Sequence, residues 1–305
     1  MSPAINPAAA PERALVLGGG GSTGNAWLIG VMAGLCDAGL DVTEADLVIG
    51  TSAGSTAAAQ IAGESPAKLF AAVLSAAPPQ RRGPAGPVAG PVAGSAAARP
   101  VTDHLERIDR IIAASADAAD MRRRMGAAAL DLAAASDASE RWRATVAARL
   151  PSQFWPERRT LITAVDARTG ESAVFDRHSG VDLADAVAAS CASGFAYRIG
   201  DGRYIDGGYR TNAENADLAA GYGRVLVLAP FGGRTRTPVE WGLDLASQVE
   251  GLRAGGSEVE TVFPDSSAEH MFGANAMDFS LRPAAAQAGF DQGRALAGPL
   301  AELWG

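Results

Sequence analysis

Apolar positions along the chain follow two periods, and the way these alternate predicts an α/β protein. Short apolar runs at Arg13 to Leu17, Asp46 to Ile49, Leu161 to Val165 and Val225 to Leu228 read as strands, the last of them buried. Between the first two, Trp27, Val31, Leu35 and Ala38 recur at helical spacing, predicting a helix from about Asn25 to Ala38 with Gly39 at its C-terminal cap. The first 60 residues therefore build one βαβ unit with glycine-rich turns at both strand ends. Helices follow from Ser55, around Lys68 to Ser75, over Leu183 to Cys191, near Ala216 to Ala220, from Trp241 to Arg253 and from Ala284 to Leu296. Ala173 to Phe175 pairs back on Leu161 to Val165 across the turn at 167–171. Tyr197 to Ile199 and Tyr204 to Ile205 form a second hairpin around Gly200-Asp201-Gly202. Val259 to Phe263 adds a last strand.

One stretch interrupts this alternation. Pro78 to Pro100 holds Pro-Pro, Arg81-Arg82 and the near-repeat Gly86-Pro87-Val88-Ala89-Gly90-Pro91-Val92-Ala93-Gly94, a composition that excludes a helix or strand core. Thr102 to Leu150 is alanine-rich with charges at helical intervals and reads as two or three helices. Residues 78–150 are expected to be an inserted helical cap on a flexible neck within a single domain over 1–305; ordinary crossover helices with a long surface loop fit the same residues. Residues 1 to 12, rich in Ala and Pro, read as a loose arm.

Composition narrows the partners. A hydrophobic share of 48% with 20% charged residues is that of a globular chain, and a net charge of -8 with a pI near 5.0 argues against binding a phosphate backbone. Lys68 is the single lysine, which leaves little scope for Schiff-base chemistry. Cys36 and Cys191 lie in apolar helical contexts and read as buried thiols rather than a disulfide or metal site. His104, His178 and His270 are the three histidines, so a triad must use one of them. The start of the chain lacks the basic opening and apolar core of a secretory signal. Ala14 to Cys36 carries no charge, but four consecutive glycines and Asn25 argue against a lipid-facing helix. The expectation is a cytoplasmic protein, with peripheral membrane contact left open.

Three turns carry the candidate chemistry. Gly50-Thr51-Ser52-Ala53-Gly54 follows a strand and opens a helix, the G-x-S-x-G elbow that lifts a serine hydroxyl above the sheet edge. Gly18-Gly19-Gly20-Gly21-Ser22-Thr23-Gly24 bares its amides after the first strand, and Asp206-Gly207-Gly208 holds a carboxylate at a strand end. In this order, with Leu15-Val16-Leu17 before the glycines and Ala189-Ser190-Cys191-Ala192 before the aspartate, the set resembles the patatin-like phospholipases over residues 13–62 and 160–230. The resemblance implies a three-layer α/β/α sandwich around a mostly parallel sheet, and a Ser52/Asp206 dyad hydrolysing lipid esters without metal or organic cofactor. Chemistry supports the same roles: Ser52 attacks an acyl carbonyl, Asp206 takes its proton, and the amides of Gly19, Gly20 and Gly21 hold the oxyanion. A carboxylate of ordinary pKa, about 4, is a poor base at neutral pH, so the dyad requires burial of Asp206 or direct contact with the serine.

Two departures bear on headgroup preference. Thr23 stands where many such sequences carry Arg or Lys, and Ser193-Gly194-Phe195 replaces the usual Pro-Gly. Three other readings compete. Gly19, Gly21 and Gly24 spell the dinucleotide fingerprint G-x-G-x-x-G, but the second strand closes on Gly50-Thr51-Ser52 instead of the ribose-binding acid a nicotinamide or flavin site needs. Ser52, Asp206 and His270 keep the chain order of an α/β-hydrolase triad, although His270 lacks a turn that would aim it. A non-catalytic lipid-binding module is the third. Of the lesser features, Asn212 reads either as a plain turn residue or as steadying the loop beneath the site, Arg122-Arg123-Arg124 reads as a solvated face, and Trp241 and Trp304 read as core or contact residues.

Overall fold

A computed structural model describes residues 12–76, 98–134 and 138–304. The predicted arm, apart from Glu12, and the Pro/Gly-rich stretch up to Ala97, with Arg81-Arg82, lie outside the described residues. The elements are β1 (Arg13–Leu17), α1 (Gly21–Asp37), β2 (Leu47–Gly50), α2 (Ala53–Gly63), α3 (Pro66–Ser75), α4 (Ala98–Ala113), α5 (Ala118–Ala134), α6 (Ser139–Ala147), β3 (Arg159–Asp166), β4 (Ser172–Phe175), α7 (Leu183–Ser190), β5 (Tyr197–Ile199), β6 (Gly202–Asp206), β7 (Arg224–Leu228), α8 (Leu245–Ala254), β8 (Glu258–Val262) and α9 (Arg282–Trp304).

The strands join one sheet in the order β5-β6-β3-β2-β1-β7-β8, with β4 folded back antiparallel on β3. β3, β2, β1, β7 and β8 run parallel, and β6 and β5 extend the sheet antiparallel beyond β3. Parallel strands covered on both faces carry near-continuous apolar runs, and the side-chain period of two sends alternate residues to opposite layers. Leu15, Leu17, Val48, Leu226 and Leu228 pack with α1, α2, α7 and α9 on one face. Ala14, Val16, Leu47, Ile49, Val225 and Val227 pack with α8 and the 3₁₀ turn Ala216–Ala219 on the other. The sheet is thus the middle of the expected α/β/α sandwich. A third cluster, with Ile112, Met121 and Met125 over Val165 and Ile205, seats α4 and α5 against β3 and β6.

α1 is held against α9 almost backbone to backbone. A Cβ on Gly30 would lie 2.1 Å from the Ala286 carbonyl oxygen, and one on Gly34 2.1 Å from that of Phe290. Gly289 and Gly293 return the approach, at 2.4 Å from the Trp27 oxygen and 2.3 Å from the Val31 oxygen. Four glycines at spacing four make a groove no larger residue fits.

Several boundaries differ from expectation. α1 starts at Gly21 rather than Asn25, because the Thr23 amide donates to the Ala276 carbonyl at 3.0 Å and that tertiary bond offsets poor glycine propensity. Its far end is as expected: Gly39, at φ 90°, donates to the Cys36 oxygen and Leu40 to that of Leu35. α4 begins inside the stretch from which a helix was excluded, with Pro100 in its first turn, where a missing N–H is tolerated. The segment near Ala216 is a 3₁₀ turn, and Trp241 belongs to a separate 3₁₀ turn ahead of α8. α9 runs through Pro299 to Trp304, since Leu300, Leu303 and Trp304 are buried in the core. Arg122 is not a solvated side chain: it donates to the carbonyls of Gly170 at 2.9 Å and Arg210 at 3.1 Å. Cys36 and Cys191 are free and half-buried. Among the described residues, no helix is long and apolar enough to cross a membrane.

Candidate active site

The three candidate turns all leave the same edge of the sheet. Where β1 ends, the Gly18 amide donates to Leu228 O at 2.9 Å and the Gly19 amide to Ala213 O at 2.8 Å, after which the chain enters α1. Where β2 ends, Thr51 N donates to Leu17 O at 3.1 Å and the chain reverses into α2. Ser52, at the apex, has φ 51° and ψ -115°, a region that side-chain-bearing residues occupy only when the surroundings impose it. The imposition is visible at its neighbours. A Cβ on Gly54 would lie 1.8 Å from Leu17 O, and one on Gly50 2.6 Å from the Ser55 Cα. The Ser52 amide is held by Ser190 Oγ at 2.9 Å, and its carbonyl accepts from Ser55 N at 3.0 Å and Cys191 Sγ at 3.1 Å.

β6 delivers Asp206 to the same place. Its register against β3 pairs Asp206 with Ala164, and its amide donates to Ala192 O at 3.0 Å. Gly207 is fixed by close approach, a Cβ there meeting Thr163 Oγ1 at 2.2 Å, while the Gly208 amide donates to Asp206 Oδ1 at 2.8 Å. Asp206 is 7% exposed. Burial pushes its carboxyl up to about 6, against the opposing pull of the Gly208 amide and of the Ser52 side chain. Serine and aspartate thus line the same cavity, near enough for the Ser52 side chain to favour the carboxylate.

The loop-steadying role expected of Asn212 falls to Asn215, which the sequence did not single out. Fully buried and left-handed at φ 55°, it donates through Nδ2 to Gly207 O at 2.9 Å and to Thr51 Oγ1 at 2.9 Å. Its Oδ1 accepts from Thr211 Oγ1 at 2.8 Å and Arg210 Nη1 at 3.0 Å. One amide thus ties the Asp-Gly-Gly turn to the residue before Ser52. Asn212 instead turns on itself, Oδ1 accepting from Ala213 N at 2.7 Å, and its buried Nδ2 has no partner among the described residues. Both Glu214 oxygens are likewise unpartnered there, and burial raises its carboxyl to about 7.

The glycine run keeps its bareness but not all its donors. The Gly19 amide is occupied by Ala213, whereas those of Gly20 and Gly21 have no acceptor among the described residues. A Cβ on Gly19 would stand 3.5 Å from the Ser52 Cβ, and one on Gly20 2.6 Å from Pro230. The turns open on a cavity of about 1110 Å³, roofed by Leu105, Ile108 and Ile112 of α4 and Met121 and Met125 of α5. His270 is exposed at the cavity wall with Nδ1 on Ser267 O at 2.9 Å, and no hydrogen bond joins it to Ser52 or Asp206. His104 lines the roof, its nitrogen against Arg107 Nη2 at 2.9 Å.

Arg282, from α9, also reaches the glycine run. It donates to Ser22 O at 2.7 Å and to Asn25 Oδ1 at 3.2 Å.

No curated protein matches the chain. A model of the patatin-like phospholipases does match, over residues 15–219 of the 305, a span that holds the glycine run, the Ser52 elbow and the Asp206 turn. The chain belongs to the patatin-like phospholipase family, hydrolases that act on lipid esters.

Proposed function

We propose that Ser52 and Asp206 are a catalytic dyad that hydrolyses acyl esters of lipids. The observation that carries this is the pairing itself: a strained elbow serine and a buried carboxylate at one cavity, with the serine favouring the ionised form of the acid. The carboxylate takes the hydroxyl proton as Oγ bonds to the acyl carbon. Collapse of the tetrahedral adduct breaks the ester bond, and the proton on Asp206 passes to the departing alkoxide. Water then attacks the acyl-serine, Asp206 taking its proton and returning it to Oγ.

The oxyanion of each adduct needs donors already in place. The amides of Gly20 and Gly21 have no acceptor among the described residues. Asn212 Nδ2 is a third donor at this end of the cavity, its amide plane fixed by the bond from Ala213 N. Gly19 contributes by leaving room beside Ser52. The apolar roof takes the acyl chain, and Met277 and Phe279, 51% and 43% exposed on the cavity wall, offer an apolar approach from a lipid aggregate or membrane surface.

The test is a panel of acyl esters varied in chain length, run on wild type, Ser52→Ala and Asp206→Asn. The dyad predicts hydrolysis by wild type and loss in both variants. Hydrolysis surviving in Ser52→Ala, or none by wild type, removes the proposal.

A further inference from the structure

The cavity is more cationic than the chain that encloses it. Arg149, Arg234, Arg236 and Arg282 line it against the carboxylates of Asp206 and Glu269, in a protein of net charge -8. Arg236 is neutralised by Asp109 at 2.7 Å. Among the described residues, no carboxylate lies within ion-pair distance of Arg149 or Arg282.

Arg282 is the more constrained of the two. It is half-buried where α9 meets the start of α1, and its hydrogen-bond partners, Ser22 O, Ser22 Oγ at 3.2 Å and Asn25 Oδ1, are all neutral. Asn25 in turn donates to Gln60 Oε1 at 2.9 Å, and Gln60 Nε2 to Arg149 O at 3.2 Å. Arg149 lays its guanidinium over the Trp142 ring, 5.6 Å from the centroid. A hydrogen-bond chain thus runs from Arg282 along α2 to the Arg149 backbone, and both arginines line the cavity that holds Ser52. Burial disfavours the charge on Arg282, and the neighbouring Arg149 adds to that cost. A partly desolvated cation without a counter-charge, as Arg282 is, is unfavourable in an empty site and favourable once an anion arrives, and the more exposed Arg149 adds a second positive charge to the same cavity.

We infer that Arg282 and Arg149 form a subsite for a phosphate group carried by the acyl-ester substrate. Two unneutralised guanidiniums match a phosphate monoester, which carries about -1.5 to -2 charges at neutral pH. Arg282 also places a cation on the glycine run where Thr23 supplies none, and it does so from beyond the segment that matches the family. The inference rests on the reading of this cavity as the ester site, but its test does not depend on hydrolysis.

The test is calorimetric binding of two ethers that cannot be cleaved, 1-O-octylglycerol 3-phosphate and 1-O-octylglycerol, to the full chain. Wild type is expected to hold the phosphate about 10- to 100-fold more tightly, the range for charge-assisted hydrogen bonds. Arg149→Gln, an exposed position, and Arg282→Gln should each shrink that ratio, and Arg282→Lys should restore most of it. Inorganic phosphate displacing the ether phosphate from wild type would show the same subsite accepting the free ion; failure to displace it at millimolar concentration would make the lipid-borne phosphate the occupant. Equal affinity for the two ethers, no binding of the phosphate, or a ratio unchanged in both glutamine variants would overturn the inference. A wild type that binds the phosphate yet cleaves no ester would overturn the dyad and leave the subsite standing.

Discussion

Asp206→Asn should abolish activity and stabilise the fold, with a pH dependence set by how far burial has moved the carboxyl. The unfolded chain releases this proton near 3.8, the folded chain near 6. The folded state therefore holds the proton more tightly, and stability falls as pH rises through that window and is flat above it. A shift from 3.8 to about 6 costs the native state about 3 kcal/mol at pH 7.5 and about 1 kcal/mol at pH 4.5. Asparagine keeps an oxygen to accept from Gly208 N and removes the charge, so the variant escapes this cost. Urea unfolding of wild type and variant at both pH values isolates the effect, because other titrating groups, Glu214 included, cancel in the difference. The stability gain should be about 2 kcal/mol larger at pH 7.5 than at pH 4.5. A gain equal at the two values would mean that Asp206 titrates as an ordinary carboxylate, and the argument that burial makes it a base would fail.

The remaining expectations concern the residues around it. The pH profile of kcat/KM should rise through about 6 as Asp206 ionises, and His270→Ala should leave both the profile and its height intact; a loss as large as that of Ser52→Ala would install a histidine triad instead. Asn212→Ala should lower kcat by roughly 100-fold with little change in KM, as loss of an oxyanion donor does, whereas an unchanged kcat would remove it from the oxyanion site. Asn215→Ala strips donors and acceptors from the Asp-Gly-Gly turn and should cost about 2–4 kcal/mol in urea unfolding, counting the groups left unpaired; a neutral result would mean that the turn is held some other way. Gly34→Ala drives a Cβ to 2.1 Å from the Phe290 oxygen and should cost on the order of 3 kcal/mol, so an unshifted melting temperature would refute the close seating of α1 on α9.

The parts legible in the sequence are those whose cause is local. An elbow needs glycine two residues before and two after its serine because the backbone itself collides with Leu17 O and Ser55 there, and that requirement is written in five consecutive letters. Strand ends at Leu17 and Asp206 were readable for the same reason, since a glycine turn follows each directly. What could not be read depends on partners far along the chain. Asn215 meets Thr51, Thr163 and Gly207, and nothing in its neighbourhood distinguishes it from Asn212. Arg282 reaches Ser22 across 260 residues. The occupied amide of Gly19 follows from Ala213, which only the fold brings alongside. The glycines of α1 and α9 look like helix breakers singly and become a packing surface only as facing pairs.

The central claim, that Ser52 is a nucleophile activated by Asp206, is met most directly by a fluorophosphonate probe followed by mass spectrometry of the intact chain and its peptides. The account predicts one phosphonyl adduct, on the peptide carrying Ser52, formed by wild type, much slower in Asp206→Asn and absent in Ser52→Ala. An unlabelled wild type, or an adduct at any other serine, would contradict it.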